Sequence, residues 1–236
     1  MALEDVRLNP HARIFHHEMG SERQPVLIID DFLLNPEALI EYACQCEFAP
    51  EKKLYPGHRV NAPDVYTRAL RTSLPQLLAR IFNTQPGDIN AAESSYSLVT
   101  QAPATLKVLQ RLPHFDSLNR RELASVYFLC NREREEYGGT AFYRHRKTGF
   151  ESVDTSRIKA YSQAVEQQLQ NGKVPPADYI RGDTELFEQI EQFPARFNRL
   201  LLYRCTSLHS GMIGPNFDFS RDPAAARLSI NTFLVG

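Results

Sequence analysis

The chain has no run of about 18 apolar residues, so no membrane-spanning helix is expected. Its start lacks the apolar region of a secretory signal, which makes a cytoplasmic location the expectation. An excess of one charge is also missing: 27 Lys and Arg stand against 28 Asp and Glu, for a formal net charge of −1. Such a molecule is not built as a whole to draw in a polyanion, so neither nucleic acid nor an anionic membrane surface is expected as a partner. The local basic groups (Arg120 and Arg121; Arg132 and Arg134; Arg144, Arg146 and Lys147) read as solvated loops. Cysteine is scarce. Cys44 and Cys46 form a lone C-x-C, Cys130 and Cys205 stand apart, and no second pair falls at zinc-finger spacing, so reduced thiols are expected. Repeats, low-complexity tracts, a P-loop, a dinucleotide fingerprint and a G-x-S-x-G elbow are all absent.

What is present is apolar patterning, with 42% hydrophobic residues over 236 positions, enough for one sizeable core and a single domain. The first 20 or so residues are polar and read as a loose arm. Residues 25–33, PVLIIDDFL, form a branched apolar run and predict a strand. Asn35, Pro36 and Glu37 open a helix to about Cys46, with Asn35 as N-cap. Residues 55–63 read as a turn-rich loop, and residues 64–82 as a helix split by Pro75. From about Tyr96 the period becomes that of strands: SYSLVT, ASVYFLCN, GGTAFYRHR, RLLLYRCTSLH and ARLSINTFLV. Residues 151–193 read as an insertion of one or two surface helices, around 158–169 and 184–193. A helical flank up to about residue 95, followed by mostly antiparallel strands, predicts a mainly β fold: a jelly-roll or double-stranded β-helix core with flanking helices.

One constellation carries chemistry. In RLPHFDSL, residues i and i+2 of an extended segment share a face, so His114 and Asp116 can act together while Phe115 turns away. An H-x-D by itself equally describes a histidine paired with a carboxylate. A third ligand is supplied by LLLYRCTSLHSG, an apolar strand running into His209. Two imidazoles and one carboxylate on one side of an iron leave open positions for a co-substrate and dioxygen. The absence of thiolates argues against structural zinc. In ARLSINTFL, Arg227, Ser229 and Asn231 fall on one face. An inward guanidinium is costly without an anion, and its fork fits a carboxylate.

At these residues the sequence resembles the 2-oxoglutarate/Fe(II)-dependent dioxygenase superfamily, most closely its prolyl-hydroxylase-like branch. The order is H-x-D, a strand ending in Asn, GG-x-x-x-F/Y, a distal His and R-x-S, over residues 96–235. The V-x-I-x-D-D-F strand and the YPG segment are similar to an uncharacterised bacterial group of such proteins. The resemblance implies Fe(II), 2-oxoglutarate and O2, with His114, Asp116 and His209 as the metal ligands and Arg227 with Ser229 on the distal carboxylate of 2-oxoglutarate. Tyr127 or Phe128 takes the place of an assisting aromatic, and Phe128 turned inward would leave no phenolic hydrogen bond there. Tyr96 and Ser97 are further candidates. The presence of Asp116, which related halogenases lack, implies hydroxylation of an amino-acid, peptidyl or small-molecule substrate. The competing reading is a cupin-like metal- or ligand-binding protein without turnover. His145 reads as a surface residue at a strand edge, His58 as a turn residue near the entrance, and His11, His16 and His17 receive no role.

Overall fold

The computed structural model describes residues 6–51, 54–85, 88–89, 91–130 and 138–236. The strands are β1 (Arg13–Met19), β2 (Gln24–Asp30), β3 (Ala49–Pro50), β4 (Gly57–Asn61), β5 (Ala91–Val99), β6 (Leu123–Phe128), β7 (Gly139–His145), β8 (Phe187–Pro194), β9 (Arg199–Arg204), β10 (His209–Gly211) and β11 (Ser229–Val235). The helices are α1 (Glu37–Ala43), α2 (Asp64–Ser73), α3 (Pro75–Phe82) and α4 (Ile158–Gln170). A large sheet runs β1-β2-β9-β6-β11-β5-β4-β3 and a small one β10-β7-β8, all pairs antiparallel. This is a jelly-roll core with flanking helices, as the order of elements predicts.

The large sheet is covered on both faces. Leu123 and Tyr127 of β6 and Leu200 and Leu202 of β9 pack with Tyr66 and Leu70 of α2 and with Leu78 and Phe82 of α3. Ala124, Val126, Phe128, Leu201 and Tyr203 point the other way, toward Phe142 of β7 and Phe193 of β8. Alternate residues of a strand point to opposite faces, so a strand buried on both sides reads as an unbroken apolar run. The small sheet is closed on its far side by α4, where Tyr161 and Val165 meet Tyr143 and Phe187. Pro75 splits the second helical stretch as expected, standing at the first turn of α3 where its missing N–H costs nothing.

Four local expectations change. Residues 13–19 are not a loose arm but edge strand β1, paired along its length with β2. Helix α1 has Pro36 rather than Asn35 at its N-cap and ends at Ala43, short of Cys46. The segment read as a loop contains β4, which gains its partners from β5 and β3. Residues 184–193 contain strand β8 rather than a helix. Phe187, Ile190 and Phe193 have a helix-like spacing of three, but the register with β7 skips Ile190 at a bulge. The bulge turns Phe187 toward α4 and Phe193 toward the large sheet, so the strand buries both faces.

Candidate metal centre and anion-binding cavity

The long strand expected to run into His209 is broken. It leaves the large sheet after Arg204, turns through residues 205–208 and enters the small sheet as β10. Residues 114–116 lie alongside this crossing. His114 N donates to His209 O at 2.9 Å, and His209 N donates to His114 O at 2.8 Å. Residues opposed in this way in an antiparallel pair project their side chains to one face. The two imidazoles accordingly stand with centroids 4.3 Å apart. Asp116 N is held by Cys205 O at 2.8 Å. Asp116 Oδ1 lies 3.7 Å from His114 Nε2, and Oδ2 lies 3.5 Å from His209 Nε2. One donor atom from each residue falls within 4.8 Å of the other two. Phe115 turns away onto Tyr161, ring centroids 6.1 Å apart.

These donors fit a divalent transition metal. Bonds of about 2.0–2.2 Å meeting near right angles put neighbouring donors about 3 Å apart, so a small contraction closes the set on one ion. His209 Nδ1 faces Ser207 O at 2.9 Å. A carbonyl only accepts, so Nδ1 carries the proton and Nε2 presents its lone pair. About half of the His114 side chain is open to the cavity (52%), yet the cavity walls surround it. Withdrawal from bulk water, then the His209 ring, lower its pKa to about 4 against the opposing pull of Asp116, with Arg59 lowering it further. Neutral imidazoles are the form that binds a metal.

The triad faces a cavity of about 720 Å³ between the two sheets. Arg227 opens into it from just before β11, and Asn231 follows on the same face. Arg227 lies across the Gly-Gly entry to β7. Its Nη2 donates to Gly139 O at 3.0 Å, and a Cβ on Gly138 would stand 2.3 Å from its Nε. Its guanidinium carbon is 5.3 Å from the centre of the Phe128 ring. Arg59 of β4 enters the same cavity and stacks over Tyr55 at 4.0 Å. The Nε atoms of Arg227 and Arg59 are buried and make no hydrogen bond among the described residues. A buried donor left unsatisfied costs about 1–3 kcal/mol, more if charged, so this wall is shaped for an acceptor that the described residues do not supply. Tyr203 stands between the two halves, its ring 4.7 Å from that of His209. Burial and then the Asp116 carboxylate drive its phenol far up, against Arg227.

The remaining candidates are distributed differently. Ser229 is on the Arg227 face, but its hydroxyl is buried and donates to Asn231 Oδ1 at 3.1 Å. Tyr127 does not reach the cavity. It points into the helix-side core, stacks on Tyr66 and donates to Asn198 Oδ1 at 2.6 Å. Phe128 is the inward residue, so β6 offers no phenol beside Arg227. Tyr96 also faces the helices, donating to Leu39 O at 2.7 Å, while Ser97 points the opposite way. His145 is fully buried rather than at the surface, with Nε2 2.8 Å from Gln168 Oε1 of α4. His58 contacts Thr100 Oγ1 at 2.7 Å. Arg144 is not a solvated residue but pairs with buried Glu151, and Arg146 pairs with Asp183. Arg132 and Arg134 lie outside the described residues. Sequence reasoning missed Arg59, Tyr55 and Tyr203. The first two sat in a segment read as a loop, and Tyr203 in a run that serves two faces at once.

A family model described as a family of unknown function, DUF6445, matches residues 10–234. No curated protein matches the chain. Among solved structures it is similar to HygX from Streptomyces hygroscopicus, crystallised with nickel, 2-oxoglutarate and hygromycin B. That match has 11% identity, covers 91% of this chain and 84% of HygX, and has a TM-score of 0.50. A Pseudomonas putida prolyl-4-hydroxylase matches at 10% identity, covering 91% and 94%, with a TM-score of 0.47. An N-substituted L-amino acid dioxygenase from Burkholderia ambifaria AMMD, in complex with α-KG, matches at 11% identity, covering 95% of each chain, with a TM-score of 0.44. At this identity the likeness to HygX is one of fold.

Proposed function

This chain belongs to the DUF6445 family of unknown function, and we propose that it is an Fe(II)- and 2-oxoglutarate-dependent dioxygenase that hydroxylates a C–H bond of an amino-acid, peptidyl or small-molecule substrate. One observation carries the reading: His114, Asp116 and His209 converge on the same cavity into which Arg227 opens with an unpaired, buried Nε. A metal site alone does not require the second feature, and an anion site alone does not require the first. HygX, which shares the fold, was crystallised with a metal and 2-oxoglutarate, in keeping with the reading.

In this proposal the two imidazoles and the carboxylate hold the ion from one side and leave the cavity side for exchangeable ligands. Iron(II) held there, with 2-oxoglutarate and dioxygen, supplies the oxidation of an unactivated C–H bond, with succinate and carbon dioxide released. Arg227 receives the distal carboxylate of 2-oxoglutarate through its planar fork. Gly138 gives Arg227 room to lie flat, Gly139 O holds one of its nitrogens, and Phe128 backs its face. Ser229 acts by orienting Asn231, which lines the cavity. Phe142 packs against the His209 ring from the core, and Tyr203 lies against it on the cavity wall. Asp116 occupies the third protein position, which a halide would need, so hydroxylation is the outcome it favours.

The test is anaerobic addition of Fe(II) and 2-oxoglutarate. A weak visible charge-transfer band should appear in the wild type and be missing in His209→Ala. Arg227→Ala should retain metal affinity and weaken 2-oxoglutarate by at least about tenfold, as loss of a charge-assisted pair predicts. No band in the metal-loaded wild type sinks the proposal. Succinate formation over a substrate panel separates an enzyme from a binding protein.

A further inference from the structure

Arg227 is not the only cation facing the cavity. Arg59 lies two strands away, since Arg59 pairs with Ser97 on β5 and Ser97 pairs with Ser229 on β11. Neighbouring strands are about 4.8 Å apart, so the Arg59 backbone is roughly 10 Å across the sheet from β11. Tyr55 lines the cavity together with both arginines. Arg59 covers its ring. Arg59 and His114 line the same cavity.

A single diacid chelating the metal has one distal carboxylate. Arg227, backed by the Gly-Gly entry and Asn231, has the surroundings to take it, which leaves Arg59 over. Glu51 meets Arg59 only as a loose ion pair: its Oε2 lies 3.7 Å from Nη1, beyond hydrogen-bonding distance, and Nε has no hydrogen-bond partner among the described residues. The nearby Glu51 charge matters for ligand class. It offsets part of the positive field that a phosphate dianion would need, whereas a planar, singly charged carboxylate matches the fork. The cavity mouth beside it is apolar. Leu54 and Leu109 line it and remain 47% and 55% exposed, with Val99 and Ile213 deeper in. Large apolar side chains left in water around a polar centre are the usual walls of a ligand site. At about 720 Å³ the cavity lies well up the roughly 300–1,000 Å³ range of ligand pockets, which leaves space for a second molecule beside a small diacid.

We propose that Arg59 seats a carboxylate of the primary substrate, separately from the co-substrate clamp, and that the substrate is a small carboxylic acid whose apolar body lies along Leu54, Leu109 and Ile213. The division of labour rests on the 2-oxoglutarate reading of Arg227, but acid binding at Arg59 is measurable without it.

The experiment is calorimetric titration of the nickel-loaded protein, with and without 2-oxoglutarate, using phenylpropionic acid, its primary amide and phenyl phosphate as probes. The acid should bind at least about tenfold more tightly than the amide in the wild type, and the preference should fall to near unity in Arg59→Gln, since one charge-assisted pair is removed. Affinity for 2-oxoglutarate should stay within about threefold in Arg59→Gln and drop at least about tenfold in Arg227→Gln. Glu51→Gln should increase the preference for the acid, a gain that does not depend on how the Arg59 variant folds. Equal binding of acid and amide by the wild type overturns the proposal, as does an acid preference that survives in Arg59→Gln. Stronger binding of phenyl phosphate than of the acid overturns the carboxylate assignment. Equal loss of 2-oxoglutarate in the Arg59 and Arg227 variants returns Arg59 to the co-substrate clamp. Failure of the wild type to bind 2-oxoglutarate, with the Arg59-dependent acid preference intact, sinks the oxygenase reading and leaves the acid seat standing.

Discussion

His114 and His209 exchange both of their backbone hydrogen bonds, at 2.9 and 2.8 Å, so a loop and a three-residue strand hold two imidazoles side by side. The pairing resides in the main chain, so removing one ring leaves the bridge in place. His209→Ala should therefore fold with the apo wild type's Tm to within a few degrees yet lose metal-dependent stabilisation. A ligand at about 100 times its Kd adds about 2.7 kcal/mol. For a chain of this size that is roughly 5–10 °C in Tm, readable by scanning calorimetry with nickel. A full metal-dependent shift in the variant would show that His209 is not a ligand.

Gly138 tests the support of Arg227. A Cβ there would meet Arg227 Nε at 2.3 Å, so Gly138→Ala must push the guanidinium off its seat. The expected result is a 2-oxoglutarate Kd raised about tenfold or more with metal affinity unchanged, both read by titration. Unchanged 2-oxoglutarate affinity would mean that Arg227 does not bind from this position.

Tyr127 should matter for stability and not for the co-substrate. Its hydroxyl donates to Asn198 Oδ1, which also accepts from Leu33 N at 2.9 Å, so Tyr127→Phe leaves Asn198 Oδ1 one donor. The cost should be about 1 kcal/mol in chemical denaturation, with 2-oxoglutarate affinity unaltered. A weakened co-substrate would place this phenol in the site after all.

Glu151 should govern the acid limb of stability. Burial pushes its carboxyl up, but the backbone N–H groups of Glu22 and Ser21, the Ser21 hydroxyl and Arg144 outweigh that and hold it below the ordinary glutamate value. A folded pKa below the unfolded one means that the unfolded chain binds more protons in between. The stabilisation is therefore complete above the unfolded value of about 4.3 and is lost as pH falls through the folded one. Glu151→Gln should lower stability at neutral pH and flatten its fall below about pH 4.3 in denaturation curves. An unchanged acid slope would show that the network does not titrate with folding.

The separation of His114 and Asp116 from Phe115, the shared face of Arg227, Ser229 and Asn231, and the break at Pro75 were all legible in the sequence. Each depends on the geometry of a few consecutive residues: period-two alternation in an extended chain, or the missing N–H of a proline. Local geometry does not say which face of a doubly buried strand meets which layer. Tyr127 and Phe128 are neighbouring aromatic residues, both fully buried, and only the helices packed on one side and the small sheet on the other sent the phenol to the core and the phenyl ring to Arg227. Likewise β8 became a strand through its pairing with β7 and a bulge at Ile190. Arg59 joined the cavity through the pairing of β4 with β5. The three proposed metal ligands divide along the same line. The residue types and the two-residue spacing of His114 and Asp116 belong to the sequence. The meeting with His209, 95 positions later, was decided by the tertiary structure, because it depends on the chain crossing between sheets at residues 205–208 and on hydrogen bonds between segments far apart in the chain.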